Sequence, residues 1–295
     1  MIVRRTHRVL VQGMTGKQGS FWTERMLSYG TQVVGGTNPK RAGDLHLGLP
    51  VFGSACEAMG EAAFDVAVMF IPPAGALAAA TDAIEAGAKL LVVLTEHIPL
   101  HDVMIIHARA KLQGARVVGP NTAGLVTPGE CFVGIMPAFN AKIFRPGRIG
   151  VVSRSGSLGT LACLELVRGG LGQSAFIGIG GDPLLGTTTL DAVRAFEDDP
   201  GTDGIVIIGE IGGAMEELTA AHLAQDRRKP AVAFIAGRSA PPRTRMGHAG
   251  AIVTGEAGSY AGKRGALEAA GIPVADTPAQ LPSLLREQLS VFSRR

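Results

Sequence analysis

The run Arg8-Val9-Leu10-Val11-Gln12-Gly13-Met14-Thr15-Gly16-Lys17-Gln18-Gly19-Ser20 decides how the first half of the chain is read. Arg8 to Gln12 reads as an apolar strand and Lys17 to Ser28 as a helix, so Gly13, Gly16 and Gly19 punctuate a strand-to-helix turn. Glycines at such a turn let the backbone approach a diphosphate, while unpaired N–H groups and the positive helix end attract it. The GxxGxxG spacing departs from the usual dinucleotide fingerprint, and tight strand-to-helix packing explains the same glycines. Lys17 favours the anion reading, because a cation in a first helical turn opposes the macrodipole unless something negative lies nearby.

Outward from this turn the pattern alternates. Gln32 to Gly35 and Asp65 to Ile71 read as strands, Ala74 to Ala86 as a helix and Leu90 to Leu94 as a buried strand. His101 to Gln113 reads as a helix, and Arg116 to Val118 as a short strand ending at Gly119-Pro120. Such alternation predicts a parallel sheet wrapped by helices. Thr127 to Gly147 carries Pro128, Gly129, Pro137, Pro146 and Gly147 without clear periodicity and reads as a linker. Beyond it Ile149–Ser153, Ala175–Ile179, Ile205–Ile208 and Val232–Ile235 read as strands, with helices near 157–168, 187–198 and 214–226. Ser259–Ala270 and Pro278–Val291 close the chain as helices, with Gly271 capping the first. The expected organisation is α/β: one domain over 1–126, a linker over 127–147 and a second doubly wound sheet over 148–295.

Composition agrees, since 295 residues exceed what one core usually organises. A hydrophobic fraction of 46% with 18% charged residues excludes intrinsic disorder. No apolar run reaches the roughly 18 residues a membrane span requires, and the longest, Asp65 to Ala80, is broken by Pro72 and Pro73. A net charge of +3 is too small for a nucleic-acid footprint. Cys56, Cys131 and Cys163 form no CxxC pair, which argues against cysteine-held metal or a disulfide scaffold. Met1 runs through Arg4, Arg5 and Arg8 directly into the first strand with no secretory h-region, so the sequence reads as a soluble cytoplasmic protein.

Three features of the second half carry chemistry. Ser153-Arg154-Ser155-Gly156-Ser157 ends a strand and opens a helix, offering hydroxyls and backbone donors to an anion, or simply an ordinary serine cap. Glu210 ends the buried run Gly204–Gly209 at a strand's carboxyl edge, where doubly wound folds gather ligands; a solvated carboxylate is the plainer reading. His248 lies in Arg245-Met246-Gly247-His248-Ala249-Gly250-Ala251-Ile252, whose small flanks leave the imidazole open to act as a nucleophile.

Taken together, GMTGKQGSF, YGTQVVGGTNP, HLGLPVF, TEHIP, GPN, TPGECFVGIMP, VSRSG, GIGGDP, IGEIGG and RMGHAGAI, in this order from about Val9 to Leu289, resemble one family. It is the α subunit of succinyl-CoA synthetase and related ADP- or GDP-forming acid–CoA ligases, including malate–CoA ligase. The resemblance implies an N-terminal Rossmann-like CoA-binding domain and a flavodoxin-like ligase domain. It implies that His248 is phosphorylated, that Glu210 hydrogen-bonds its imidazole, and that the Ser155-Gly156-Ser157 turn receives the phosphohistidine's charge. For coenzyme A it implies the loop Thr15, Gly16, Lys17 and Gln18, with Arg41 in place of a contacting lysine and Leu94-Thr95-Glu96 beside the nucleotide part. Solvated loop charges are the alternative for Arg41 and Glu96.

The implied reaction has three stages: ATP or GTP with Mg²⁺ phosphorylates His248, the phosphoryl passes to a carboxylate as an acyl phosphate, and the CoA thiol displaces phosphate. Nucleotide and metal are expected on a β subunit with a nucleotide-grasp domain, in an αβ or α2β2 complex, with neither nucleic acid nor membrane as partner.

Two stretches depart from the family. Asn121-Thr122-Ala123-Gly124 stands where relatives commonly carry Asn-Cys-Pro-Gly or Asn-Cys-Ala-Gly beside the expected acid site. A hydroxyl that both donates and accepts suits a polar short acid such as malate or a sulfonated acid; a neutral exchange in a succinate enzyme is the other reading. Gly35-Gly36-Thr37-Asn38-Pro39-Lys40-Arg41-Ala42-Gly43 is less glycine-rich than the family's run, which makes that loop stiffer; CoA binding is expected to survive because Arg41 retains charge, although a guanidinium fork is not equivalent to an ammonium. The functional alternative is a non-catalytic CoA- or nucleotide-binding regulator, which has no need of Glu210, His248 and the Ser155 helix end together.

Overall fold

The computed structural model describes residues 1–240, 247–253 and 258–294. The chain parts into two compact units: residues 3–139 with 184–187, and residues 140–183 with the chain from 188 onward.

The first unit runs β1 (Arg8–Gln12), α1 (Lys17–Tyr29), β2 (Gln32–Thr37), β3 (Leu45–His46), β4 (Leu49–Phe52), α2 (Ala55–Glu61), β5 (Val66–Met69), α3 (Pro73–Glu85), β6 (Leu90–Val93), α4 (Leu100–Leu112) and β7 (Arg116–Val118), then β8 (Gly124–Thr127) and β9 (Cys131–Gly134). Strand order is β3-β4-β2-β1-β5-β6-β7. Apart from the antiparallel β3–β4 pair the ladder is parallel, with Val11 opposite Gly36 on one side and Val68 on the other. Buried on both faces, β5 and β6 read as unbroken apolar runs, VAVM and LLVV. Helix α3 presents Ala76, Ala80, Ala83 and Ile84 to the core beside Leu10, Met69 and Leu91; its small side chains let it lie close.

The second unit runs β10 (Pro146–Ser153), α5 (Gly156–Arg168), β11 (Gln173–Gly178), α6 (Thr189–Asp198), β12 (Gly204–Glu210), α7 (Met215–Gln225), β13 (Ala231–Ala236), α8 (Tyr260–Ala269), β14 (Val274–Ala275) and α9 (Leu281–Phe292). These strands lie parallel in the order β14-β13-β12-β10-β11. Counted within the unit from the β11 edge that is second, first, third, fourth, fifth: the flavodoxin-like doubly wound order. Phe176, Phe196, Ile177 and Ile205 to Ile207 fill its core. Gly150 is glycine because a Cβ there would stand 2.5 Å from the Phe196 ring. Gly271, at φ 70°, follows α8 and bonds Glu268 O, the expected cap. No described helix is long and apolar enough to cross a membrane.

The structure differs from the sequence reading in short elements. β3, β4 and α2 fill the stretch between β2 and β5 left unassigned by periodicity. The expected linker 127–147 begins inside the antiparallel pair β8–β9, taking in the end of β8 and all of β9, four-residue strands too short to show a period. The units divide between Phe139 and Asn140, inside that expected linker. Residues 184–187, expected in the second domain, belong to the first unit: Thr187 Oγ1 donates to Val117 O at 2.6 Å and Gly186 N to Gly119 O at 2.9 Å.

Candidate functional site

Doubly wound sheets open a crevice at the carboxyl edge where chain direction across the sheet reverses. In the first unit that point lies between β1 and β5, and a cavity of about 600 Å³ is there. Gln12, Gly13, Thr15 and Gly16 line it from the β1 turn, Asn38 and Pro39 from the end of β2, Phe70 to Pro72 from the end of β5, and Ala78, Ala79 and Asp82 from α3. Helix α1 begins at this cavity with Gly16 as its cap, no side chain capping its first amides and no acid in its first turn. Its leading N–H groups are thus available to an anion.

The three glycines of the opening turn divide their labour. A Cβ on Gly13, at φ 79°, would fall 2.4 Å from Phe70 O, and one on Gly19 would fall 2.2 Å from Gly13 O. Both serve the close packing of strand, turn and helix. Gly16 is different: its Cβ would meet only Gly13 O at 3.4 Å, and it faces the cavity. Packing and anion readings therefore both apply, at different glycines.

Of the residues expected around this ligand, Thr15 and Gly16 line the cavity, whereas Lys17, Gln18, Arg41, Leu94, Thr95 and Glu96 are not in its wall. Thr15 Oγ1 accepts from Asn38 Nδ2 at 2.6 Å, joining two of the lining loops. Gln18 Oε1 accepts from Trp22 Nε1 at 3.2 Å, and Arg41 pairs with Asp44 at 2.8 Å. Thr95 Oγ1 donates to Ile71 O at 2.6 Å, bracing the strand end that does line it. Glu96 is exposed, 3.9 Å from His97 Nε2. Thr122 lies buried with its hydroxyl turned into its own loop, accepting from Gly124 N at 2.9 Å. Asn121 N donates to Thr95 O at 3.0 Å, so this loop and the 94–96 strand end are packed side by side.

In the second unit the reversal lies between β10 and β12, and it brings Ser155 and Glu210 together with His248. A cavity of about 280 Å³ is lined by Ser155, Ser157 and Leu158 from the start of α5, Glu210 and Ile211 from the end of β12, and Gly247, His248 and Ala251. Glu210 Oε2 lies 2.8 Å and Oε1 3.0 Å from His248 Nδ1. With a carboxylate as acceptor, Nδ1 carries the proton and donates it in the hydrogen bond, so Nε2 holds the nucleophilic lone pair. Ser155 caps α5, accepting from Leu158 N at 3.4 Å, and its Oγ stands 3.2 Å from Ser157 Oγ. The cavity thus holds a buried acid, an imidazole oriented by it and a thirteen-residue helix's positive end. Arg245 and Met246 of the histidine loop lie outside the described residues.

Residues that sequence reasoning did not single out complete this site. Arg154 is buried behind Glu210, its Nη2 3.5 Å from Oε1 and its Nη1 donating to Gly212 O at 2.9 Å. A Cβ on Gly181 would fall 2.4 Å from His248 Cγ, and one on Gly250 2.7 Å from Arg154 Nη2, so both glycines are clearances. The GIGGDP run and the glycine after His248 were visible as motifs. Their packing against the imidazole and guanidinium was not, because it joins segments far apart in the chain, Gly181 to His248 and Arg154 to Gly250. The thiols are poor competitors as nucleophiles. Burial pushes Cys131 up to about 12 and Cys163 well above the usual range, while burial and the neighbouring Asp82 raise Cys56.

Residues 4–97 match the CoA binding domain family and residues 152–273 the CoA-ligase family. The chain is 46% identical over 98% of its length to succinate–CoA ligase [ADP-forming] subunit alpha 2 of Archaeoglobus fulgidus, covering 99% of that protein. It is 42% identical over 98% of its length to an ADP-forming sulfoacetate–CoA ligase subunit of Bilophila wadsworthia, again covering 99%. Among solved structures, ATP citrate lyase of Methanothrix soehngenii in complex with citrate and coenzyme A superposes with a TM-score of 0.89 at 25% identity. That match takes in all of this chain, which spans 51% of the lyase chain.

Proposed function

We propose, from the premise that the chain belongs to the α-subunit family of ADP-forming succinate–CoA ligases, that His248 is its phosphoryl carrier and the first unit its coenzyme A site. The observation that carries this is the hydrogen bond from His248 Nδ1 to Glu210 at 2.8 Å, in the same cavity as the N-terminus of α5.

In the first step the Nε2 lone pair attacks the γ-phosphorus of ATP or GTP, forming an N–P bond as the bond to the departing nucleoside diphosphate breaks. Nδ1 keeps its proton, hydrogen-bonded to Glu210, so Nε2 supplies its electron pair without a separate base. The new phosphoryl dianion is stabilised by the amides and dipole of α5. In the second step a carboxylate oxygen takes the phosphoryl, giving an acyl phosphate and restoring neutral His248. In the third the CoA thiol, losing its proton, attacks the acyl carbon and inorganic phosphate leaves with the C–O bond's electrons. Mg²⁺ travels with the nucleotide and screens its phosphates when bound. A β subunit with a nucleotide-grasp domain would present that complex, in an αβ or α2β2 assembly within the cytoplasm.

The acid is a short di-acid: succinate, or a polar relative such as malate or a sulfonated acid, since relatives named for succinate and for sulfoacetate resemble the chain to similar degrees. The inward hydroxyl of Thr122 favours a loop-shaping role over direct contact with the acid. A regulator that only binds CoA is not favoured, because it leaves the Glu210–His248 pair without a purpose.

The test is phosphopeptide mapping under alkaline handling, on the chain co-purified with its native partner and exposed to Mg²⁺–ATP or Mg²⁺–GTP. The expected result is phosphate on the His248 peptide; an unmodified histidine beside a partner that binds nucleotide overturns the assignment. Coenzyme A binding is tested separately by two glycine substitutions. Gly16→Ala, with φ −72° and room for a Cβ, is expected to leave stability within about 1 kcal/mol while weakening CoA roughly tenfold by crowding the diphosphate. Gly19→Ala, colliding with Gly13 O, is expected to lose about 1–3 kcal/mol of stability and CoA affinity together. Thermal melts and calorimetric titration with CoA separate the two; equal CoA affinity in Gly16→Ala and wild type would remove the α1 turn from the site.

A further inference from the structure

We infer that Arg154 is a positioning residue for phosphoryl transfer, acting through Glu210: its guanidinium fixes the carboxylate as the hydrogen-bond acceptor of His248 and fastens the turn that follows it. The inference rests on the phosphohistidine reading above and adds a group that acts through the acid and the turn behind it.

Glu210 ends β12 with its side chain 9% exposed, and Arg154 follows β10 with its side chain 3% exposed. A carboxylate taken so far from water loses hydration, and a cation beside it replaces that loss and holds it in place. Were the carboxylate displaced from Nδ1, nothing would fix the imidazole's tautomer, and its proton could sit on Nε2, the wrong nitrogen for attack. Arg154 Nη2, 3.5 Å from Glu210 Oε1, supplies the cation, and the charge cannot be lost because a guanidinium stays protonated. Its second nitrogen, Nη1, donates to Gly212 O at 2.9 Å, so one planar fork holds both the acid and the backbone two residues beyond it. A lysine's single ammonium could not span both points in this fixed geometry. The main chain contributes as well, Arg154 N donating to Ile208 O at 3.2 Å and locking the β10 exit to the strand that carries Glu210.

The surroundings are cut to this side chain. A Cβ on Gly250 would stand 2.7 Å from Arg154 Nη2, and a Cβ on Gly212, at φ 90°, would stand 2.1 Å from Gly250 O. The histidine segment therefore closes over the guanidinium through two glycines, and Arg154, Glu210 and His248 follow one another from the interior toward the cavity.

A residue that acts through Glu210 must lose its importance once Glu210 is changed, whereas a merely structural residue costs the same in either background. The experiment measures the single-turnover rate of His248 phosphorylation from Mg²⁺–ATP, with the native partner present, in wild type, Arg154→Met, Arg154→Lys, Glu210→Gln and the two double variants. CoA affinity serves as the control for folding of the first unit. Arg154→Met is expected to slow phosphorylation roughly 10²-fold and Glu210→Gln at least as much. The Arg154→Met, Glu210→Gln double variant should stay within about 3-fold of Glu210→Gln alone. Arg154→Lys is expected to recover about tenfold over Arg154→Met in the wild-type background and nothing in the Glu210→Gln background.

Losses that multiply in the double variants, or a wild-type rate in Arg154→Met, overturn the inference. Should Arg154→Met fail to fold, Arg154→Lys measured in both backgrounds decides alone: slowing confined to the Glu210 background supports it, and equal slowing in both refutes it. Absence of label in the wild type removes the phosphohistidine reading and this inference with it. A labelled wild type with multiplying losses removes this inference alone.

Discussion

His248→Asn is expected to abolish phosphoryl labelling and CoA-ester synthesis, by at least roughly 10⁴-fold, while leaving coenzyme A affinity unchanged. Asparagine is the informative choice. Its amide can still donate to Glu210, the partner now held at 2.8 Å by Nδ1, so the buried carboxylate is not abandoned and the local fold persists. What disappears is a nitrogen lone pair able to form a bond to phosphorus. The other two stages offer no bypass, since direct condensation of an unactivated carboxylate with a thiol has a poor leaving group. Neither Cys131 nor Cys163 substitutes, both being buried with their thiols pushed up by burial. Steady-state synthesis from acid, CoA and ATP, alongside CoA titration, checks both halves. Equal loss of turnover and CoA binding would contradict the division of roles between the units.

Lys263→Met is expected to cost about 3–5 kcal/mol of stability, the largest loss of fold anticipated from one substitution outside the apolar core. Lys263 and Glu216 both have fully buried side chains and are hydrogen-bonded to each other. The ammonium also donates to Glu217 Oε2 at 3.0 Å and Gly213 O at 3.0 Å. All three of its protons are thus used, and the cluster joins α8 to α7 and to the turn after Glu210. Glu217 Oε1 in addition accepts from Gly258 N at 3.0 Å, and Gly212 N donates to Gly258 O at 2.8 Å, anchoring the described residue where the chain leaves the histidine loop. Removing the cation leaves the fully buried Glu216 carboxylate without its counter-charge, beside the half-buried Glu217, which is why the loss exceeds that of an exposed pair. Chemical denaturation followed by circular dichroism measures it. Lys263→Met combined with Glu216→Gln, which removes one of the stranded charges, should recover more than half of the loss; no recovery would show that packing rather than charge sets the cost.

The two clusters differ in what they support. Lys263 ties α8 to α7 and to Gly213 and secures the scaffold, whereas Arg154 contacts the acid that orients the imidazole, which is why the first is tested by stability and the second by coupling to Glu210.

Much of the architecture follows from the amino-acid sequence alone. Parallel strands buried on both faces must be apolar throughout, so β5, β6 and β12 stand out as VAVM, LLVV and GIVIIGE, and their alternation with helices leaves a doubly wound sheet as the natural arrangement. The glycine turn before α1, the serine cap of α5, Glu210 at a strand end and His248 in a small-residue loop are local features that proximity along the chain makes legible. The short pairs β3–β4 and β8–β9 were not, because strands of two to four residues show no period and exist only through their partners. Nor could the sequence assign separate duties to Gly13, Gly16 and Gly19, which are chemically identical and are distinguished by whether Phe70 O, open cavity or Gly13 O lies where a Cβ would be. Arg154 is the clearest case. In its own segment it is one more charged residue beside a serine cap, and only the sheet, by laying β10 against β12, turns that charge inward onto Glu210. Periodicity and capping are short-range and can be read along the chain; the burial of a charge depends on neighbours that tertiary structure alone supplies.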